Sequence, residues 1–288
     1  ALISRVHRYS WDNKGSSPVG KSETDFIQSA DPWFRPVNVK LGPDGATYVA
    51  DFYNAIIGHY EVPLGHPKRD KQRGRIWRIT YKGDHHEVKD LTVASVNDLI
   101  NTLKEDNITT RMAATDQLSD RVGVPAIEPL KALLADTSTS PRQYIHALWA
   151  IYRLQGMNDE LLTQTLNHND PLIRLHSLRI LREWKPASET FHPLVLIALN
   201  DADPHVQRAA VELLSHYAEL PSVEAALAIL RQTPSTDTHL RYTARLILRN
   251  LLRNDVLMQQ ANGKEWNEED AGYIAGCLVD VPSGGSAL

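Results

Sequence analysis

Cysteine is almost absent: Cys277 is the one thiol in 288 residues. A single thiol excludes an internal disulfide, a C-x-x-C-H haem attachment and a thiolate metal cage. It leaves the redox compartment open. Long apolar runs are also missing, and nothing approaches the roughly eighteen residues that a membrane-crossing helix needs. There is no excess of one charge: 31 Lys+Arg face 35 Asp+Glu, a net of −4. Whole-chain attraction to nucleic acid is therefore excluded. With 42% hydrophobic, 23% charged and 7% aromatic residues, the composition is that of a globular protein. It is neither a disordered tail nor a fibre. The chain opens on Ala1-Leu2-Ile3-Ser4, without Met, basic leader or signal core, and closes on a Ser-Gly-Gly-Ser-Ala-Leu run. Both ends read as cut, so a segment of a longer protein is expected.

What is present divides in two. Residues 1–90 carry 14 basic and 11 acidic side chains, whereas residues 91–288 carry 17 and 24. The hydrophobic pattern changes at the same place. In the first part, Gly42-Pro43-Asp44-Gly45 is a tight-turn signal between Val37–Leu41 and Ala46–Ala50. These flanks read as a hairpin. Arg75–Tyr81 reads as a third strand, and Leu2–Tyr9 as a candidate fourth. Ser10–Gly20 is polar and contains Gly and Ser, so a loop is expected. So small a sheet either packs on the second half or is one blade of a propeller.

The second part repeats. Segments starting at Asn107, Ser140, Asp170, Asp203 and Asp237 are 33, 30, 33 and 34 residues apart. Each opens with a good helix N-cap, and three follow it with proline. Seven residues on stands a small residue (Ala114, Ala147, Ser177, Ala210, Ala244). Eleven on stands an aliphatic one (Leu118, Ile151, Leu181, Leu214, Leu248). Shorter helices are expected between them, at 124–135, 158–167, 191–199 and 221–232. Paired helices at this period predict an α-solenoid.

The repeat core, Asp/Asn-Pro-x-Val-Arg followed by Ala and Leu, resembles HEAT repeats, which act chiefly as scaffolds and binding surfaces. Tyr144 and Gln207 replace the usual Arg in two of them. The first part carries a second resemblance, in Asp31-Pro32-Trp33-Phe34-Arg35-Pro36-Val37, Lys40–Gly45, Tyr48–Asn54, Ile57–Pro63 and Gly74–Ile79. It resembles the membrane-bound dehydrogenase family of planctomycetes and related bacteria, whose β-propeller is similar to quinoprotein sugar dehydrogenases of the glucose/sorbosone type. The resemblance implies a mixed fold: a partial β-propeller of antiparallel strands at 1–83, a linker at 84–94, a HEAT-like α-solenoid at 95–255, and a terminal helix and tail at 256–288. The helix is expected at 264–281. It implies further blades upstream, a cytochrome domain downstream, and a periplasmic or extracytoplasmic location.

The same resemblance points to pyrroloquinoline quinone as the cofactor of the parent, with a small sugar or alcohol as substrate. No cofactor is expected on this chain alone, and no catalytic residue is assigned. Arg35, Asp51 and Tyr53 are the cofactor-binding candidates. Arg35 could grip a quinone carboxylate, or bridge two blades through backbone carbonyls. Asp51 could orient a cation or act as a base, or cap the amides of the next loop. Tyr53 and Asn54 could line the same mouth. His59 and His66 flank a loop, but the family's catalytic base lies in an earlier blade. Together with His85, His86 and His168 they form no metal-ligand motif, so no metal is expected.

Three further patterns are weighed. The basic run His66–Arg75 could dock an anionic surface or be a solvated loop, and lacks the interleaved aromatics of a nucleic-acid groove. Gly15–Ser22 matches G-x-x-x-x-G-K-S, but no buried strand precedes it and no sound helix follows. Trp149, Tyr152, Trp184 and Tyr217 are expected in the core. Of Arg174, Arg179, Arg182, Arg241, Arg245, Arg249 and Arg253, one is expected to pair with the next repeat's Asp, while the others could line a binding face. The expected role is a structural and partner-docking scaffold, serving a protein partner or a cytochrome domain through the repeat surface. The alternative is a non-catalytic propeller–HEAT module that binds a protein or glycan, and a phosphate-loop nucleotide binder is the third class. No nucleic acid and no membrane span are expected.

Overall fold

A computed structural model describes residues 4–56, 58, 61–82, 87–184 and 189–278. The chain forms small antiparallel sheets and then a helical region, in two compact units. The first contains residues 1–11 and 20–137, the second residues 12–19 and 138–288.

The first unit holds β1 (Arg5–Val6) against β4 (Ile27–Gln28), and a three-stranded sheet of β5 (Pro36–Leu41), β6 (Thr47–Asp51) and β7 (Arg75–Ile79) in that order. The Gly-Pro-Asp-Gly turn joins β5 to β6 as expected. Gly45 takes φ +76°, which only glycine adopts cheaply. A Cβ on Gly42 would lie 2.5 Å from the Asp44 carboxylate. That carboxylate accepts from Ala46 N (3.1 Å), Tyr48 Oη (2.9 Å) and Arg78 Nε (2.8 Å). Register pairs Val39 with Val49 and Val49 with Trp77, so one face is apolar. Among the described residues both edges of this sheet are unpaired, and no propeller or barrel closes.

Among the described residues three α-helices complete the unit, α1 (Val96–Thr102), α2 (Ile108–Asp116) and α3 (Ile127–Ala135), with a π-helical turn at Gln117–Val122 following α2. The α2 N-cap, Asn107, accepts from Thr109 N and donates through Nδ2 to Gly42 O (2.8 Å), while Thr109 Oγ1 donates to Leu41 O (2.8 Å). One cap thus also fastens the hairpin end.

The second unit contains α4 (Pro141–Arg153), α5 (Asp159–Leu166), α6 (Pro171–Trp184), α7 (His192–Ala198), α8 (Pro204–Leu213), α9 (Leu220–Gln232) and α10 (Thr238–Leu252). Helices α4, α6, α8 and α10 pack side by side, with α5, α7 and α9 as their hairpin partners. The expected layers hold: the five small and five aliphatic residues of the register are all at most 1% exposed. Ser177 takes a small-residue position because its Oγ donates to Ile173 O (2.8 Å). All five N-caps accept from backbone amides two or three residues on. Helices α11 (Asp255–Asn262) and α12 (Glu268–Leu278) continue the array against α9 and α10, past residue 255. The tail beyond 278 lies outside the described residues, as do His59, His85 and His86.

One expectation is corrected. Ser10–Gly20 is not a loop but most of a hairpin, β2 (Tyr9–Lys14) paired with β3 (Ser17–Ser22). The phosphate-loop pattern lies in the same hairpin. Gly15 makes its turn at φ +63°, Ser22 ends β3, and the next element is strand β4. No helix N-terminus stands behind the motif to present amides to a phosphate.

Candidate functional site

The structure brings Arg35, Asp51 and Tyr53 together in the first unit. Asp51, at the end of β6 and 3% exposed, organises them. Its Oδ1 accepts from Arg35 N and Tyr53 N (both 2.8 Å), and its Oδ2 from Trp77 Nε1 (3.0 Å). The carboxylate therefore ties the strand end to β7 and to the start of β5. It also holds Tyr53 at φ +47°, a conformation that costs a tyrosine strain. Arg35 donates through Nη1 to Ser4 Oγ (3.0 Å) and Phe34 O (3.1 Å), and through Nη2 to Ala55 O (3.4 Å). Buried Asn54 donates to Asp70 O (2.9 Å) and accepts from Ile56 N (3.2 Å). These polar atoms are committed to the chain itself, whereas Arg35 Nε is buried without a partner.

Beside this cluster opens a cleft of about 810 Å³, lined among others by Val37, Phe52, Leu64, Lys71, Arg73 and Arg75. The Arg75 guanidinium lies 3.5 Å from the centre of the Tyr53 ring, and Trp33 stands 5.8 Å from the same ring. Sequence alone does not reveal this stack, because its members are 22 and 20 residues from Tyr53 along the chain. The basic run is partly self-satisfied: Arg69 donates to Pro63 O, Val62 O and Gly58 O, and Arg73 pairs with Asp70. His66 is half-buried and accepts from Lys68 N (3.1 Å). His168 accepts from Asp170 N (2.9 Å). Among the described residues no group of three or more His, Cys, Asp or Glu could hold a metal.

In the second unit one device recurs. The residue four past each N-cap reaches back to carbonyls of the preceding turn or helix. Arg174 Nη1 donates to His168 O (2.7 Å) and Asn169 O (2.8 Å), Gln207 Nε2 to Asp201 O (2.8 Å), and Arg241 Nη1 to Thr233 O (2.8 Å) and Leu230 O (2.9 Å). In the first unit Arg111 Nη1 does the same to Glu105 O (2.6 Å) and Asp106 O (2.9 Å). Tyr144 instead stacks near His168, ring centres 5.3 Å apart. Arg174 pairs with an Asp of the next repeat, and Arg182 with Glu212 on α8. Arg174 clasps Asp201 with two bonds, Nε to Oδ2 at 2.6 Å and Nη2 to Oδ1 at 2.8 Å. Burial pushes the Asp201 carboxyl up, but the Arg174 and Asp203 hydrogen bonds outweigh it and hold it below its ordinary range.

Residues 158–249, helices α5 to α10, match HEAT repeats. They are a HEAT array in the second unit. Residues 2–83 match a family described as a domain of unknown function (DUF7133). No curated protein matches. Among solved structures, the crystal structure of an engineered protein aligns at 18% identity and a TM-score of 0.41, over 67% of this chain and 98% of that one.

Trp149, Tyr152, Trp184 and Tyr217 are half-buried between helices rather than fully enclosed. Trp149 Nε1 donates to His176 Nδ1 (2.9 Å). Burial first, then Arg179 and His146, push the His176 pKa down to about 4 from 6.5. The unfolded chain therefore binds a proton that the folded one refuses across that window, and stability falls as pH drops from 6.5 towards 4. Partial exposure reduces the effect, leaving about 1–2 kcal/mol. His176→Gln keeps an acceptor for Trp149 and should flatten this stretch of the urea-midpoint-against-pH curve. An unchanged slope would show that another group carries it. Cys277 is buried, and burial raises its thiol pKa despite Arg245 and Arg249, so it is not poised as a nucleophile.

Proposed function

We propose that this chain is the non-catalytic scaffold segment of a quinoprotein sugar or alcohol dehydrogenase-like protein, in a periplasmic or other extracytoplasmic location. Its sheet would serve as propeller-blade material, and its HEAT array would dock a protein partner or a cytochrome domain. The observation that carries the scaffold reading is the HEAT array itself, whose layers repeat and whose family acts through surfaces rather than pockets. The blade reading draws support from the β5–β7 sheet. Val39, Leu41 and Trp77, on its apolar face, remain between 41% and 45% exposed, as expected of a sheet that further blades cover.

The residues present do not fit pyrroloquinoline quinone. Its carboxylates need a fork of two free guanidinium N–H groups, whereas Arg35 Nη1 and Nη2 hold Ser4, Phe34 and Ala55, which leaves the buried Nε alone without a partner, and Asp51 holds three N–H groups. No redox step is assigned to them. The alternative role, a module that binds a protein or glycan without redox chemistry, is favoured by the Trp33–Tyr53–Arg75 stack at the cleft.

Calorimetric titration of pyrroloquinoline quinone with calcium tests the proposal on this chain and on a longer chain that adds the preceding residues. Heat is expected from the longer chain only, and Arg35→Ala should lower stability by about 2 kcal/mol without weakening that binding. Binding to this chain alone would overturn the scaffold reading. No binding to either would remove the quinoprotein assignment and leave the module.

A further inference from the structure

The second half of the chain is acidic, with 17 basic against 24 acidic residues over 91–288. Against that background, α6 and α8 bring together a cluster of the opposite sign. Arg179 is half-buried. Among the described residues it makes no hydrogen bond and no ion pair. The groups that act on it are Glu212, Arg208 and Arg182: two cations and one anion. Glu212 is already held by Arg182. Arg208 donates to Ser16 O (3.1 Å) and faces His239 Nδ1 at 3.2 Å, so it brings no further anion. One turn before Arg179 stands His176. Its Nδ1 accepts from Trp149, so the neutral ring carries its proton on Nε2, a donor rather than an acceptor.

Three guanidiniums and two carboxylates, Glu212 and Glu183, thus share a patch on neighbouring helices; both carboxylates are held by Arg182, and the half-buried Arg179 is left without a protein partner among the described residues. Taking a cation part-way out of water without a partner is unfavourable, and an arriving carboxylate would relieve the cost. Guanidinium geometry suits bidentate carboxylate binding.

We propose that the face of α6 and α8 centred on Arg179 docks an acidic segment of the protein partner, with a carboxylate seated on Arg179 and flanked by Arg182 and Arg208. This rests on the scaffold reading and specifies the partner's chemistry. Charge complementarity selects the occupant. The attraction is local, because the wider surface repels acids, so it should fade steeply with salt.

The test is fluorescence anisotropy of a labelled deca-glutamate peptide with the full chain, at low and at physiological ionic strength. Saturable binding is expected, weakened about tenfold by Arg179→Met and only partly restored by Arg179→Lys, which returns the charge but not the two-pronged donor geometry. Circular dichroism and the urea midpoint of each variant separate loss of binding from loss of fold. No binding of deca-glutamate, or equal binding by the Met variant, would overturn the proposal. Displacement by inorganic phosphate as readily as by unlabelled peptide would overturn it too, reassigning the cluster to a free anion. Preferential binding of deca-lysine would place the docking face elsewhere. None of these results touches the scaffold reading, which stands or falls on the quinone titration of this chain alone.

Discussion

Asp237→Ala is expected to destabilise the second unit by about 3–5 kcal/mol. Asp237 is the N-cap of α10, and an ordinary cap is worth about 1 kcal/mol. Here it does more. Its carboxylate accepts from Ser16 N (2.6 Å), Ser16 Oγ (2.9 Å), Ser17 Oγ (2.8 Å) and Leu240 N (3.1 Å), and is 3% exposed. Ser17 Oγ in turn accepts from His239 N (2.7 Å). Removing the carboxylate leaves three donors of the hairpin tip buried without an acceptor. Burial pushes the Asp237 pKa up, but the Ser16, Ser17 and Leu240 hydrogen bonds outweigh it and lower it overall. The contribution is therefore complete above the ordinary carboxylate range and is lost as pH falls through the lowered value. Gly15→Ala should approach the same loss from the other side, since its Cβ would collide with Asp237 Oδ2 at φ +63°. The checks are the urea midpoint and hydrogen exchange of the Ser16 amide. A loss no larger than that of an ordinary cap would show that the tip is held by other contacts.

The second large effect is at the Arg174–Asp201 clasp, whose side chains are 19% and 10% exposed. Arg174→Met and Asp201→Asn are each expected to cost about 3 kcal/mol, because each leaves a largely buried partner unmatched. The double variant should cost distinctly less than their sum, with a coupling of about 2 kcal/mol in a double-mutant cycle. Arg174 also holds two carbonyls, so its single replacement should be the worse of the two. Additive losses would mean that the clasp contributes nothing of its own and that only the carbonyl contacts matter.

Features written in local chemistry are legible in the sequence. The five N-caps, the buried small and aliphatic layers and the Gly-Pro-Asp-Gly hairpin are each settled within about a dozen residues. The clasp is legible in kind, because Arg174 recurs at a fixed offset, but its partner Asp201 lies 27 residues on and is not named by the pattern. The β2–β3 hairpin is not legible. Every residue of β2 is exposed, so no alternation betrays it, and its Ser, Gly and Lys are poor strand formers. What holds its tip is a carboxylate far along the chain. In the same way the sequence allows Asp51 as either a reactive carboxylate or a turn former. Its bonds to Arg35 N and Tyr53 N follow from neighbouring loops, whereas the bond from Trp77 depends on β7 being laid alongside β6.

The turn at Gly15–Ser17 and its anchor Asp237 are about 221 residues apart, in a unit whose other helices are stitched to near neighbours. At about 5–20 residues per second, the tip leaves the ribosome on the order of 10–40 s before Asp237 is made. Throughout that interval two serines and an amide have only water as a partner, while helices α4 to α9 can already stack one on the next. Closure of the hairpin onto α10 thus waits until Asp237 has been made. A ribosome stalled just before Asp237 would carry a nascent chain with several repeats in place and its serine turn still open to solvent and to proteases.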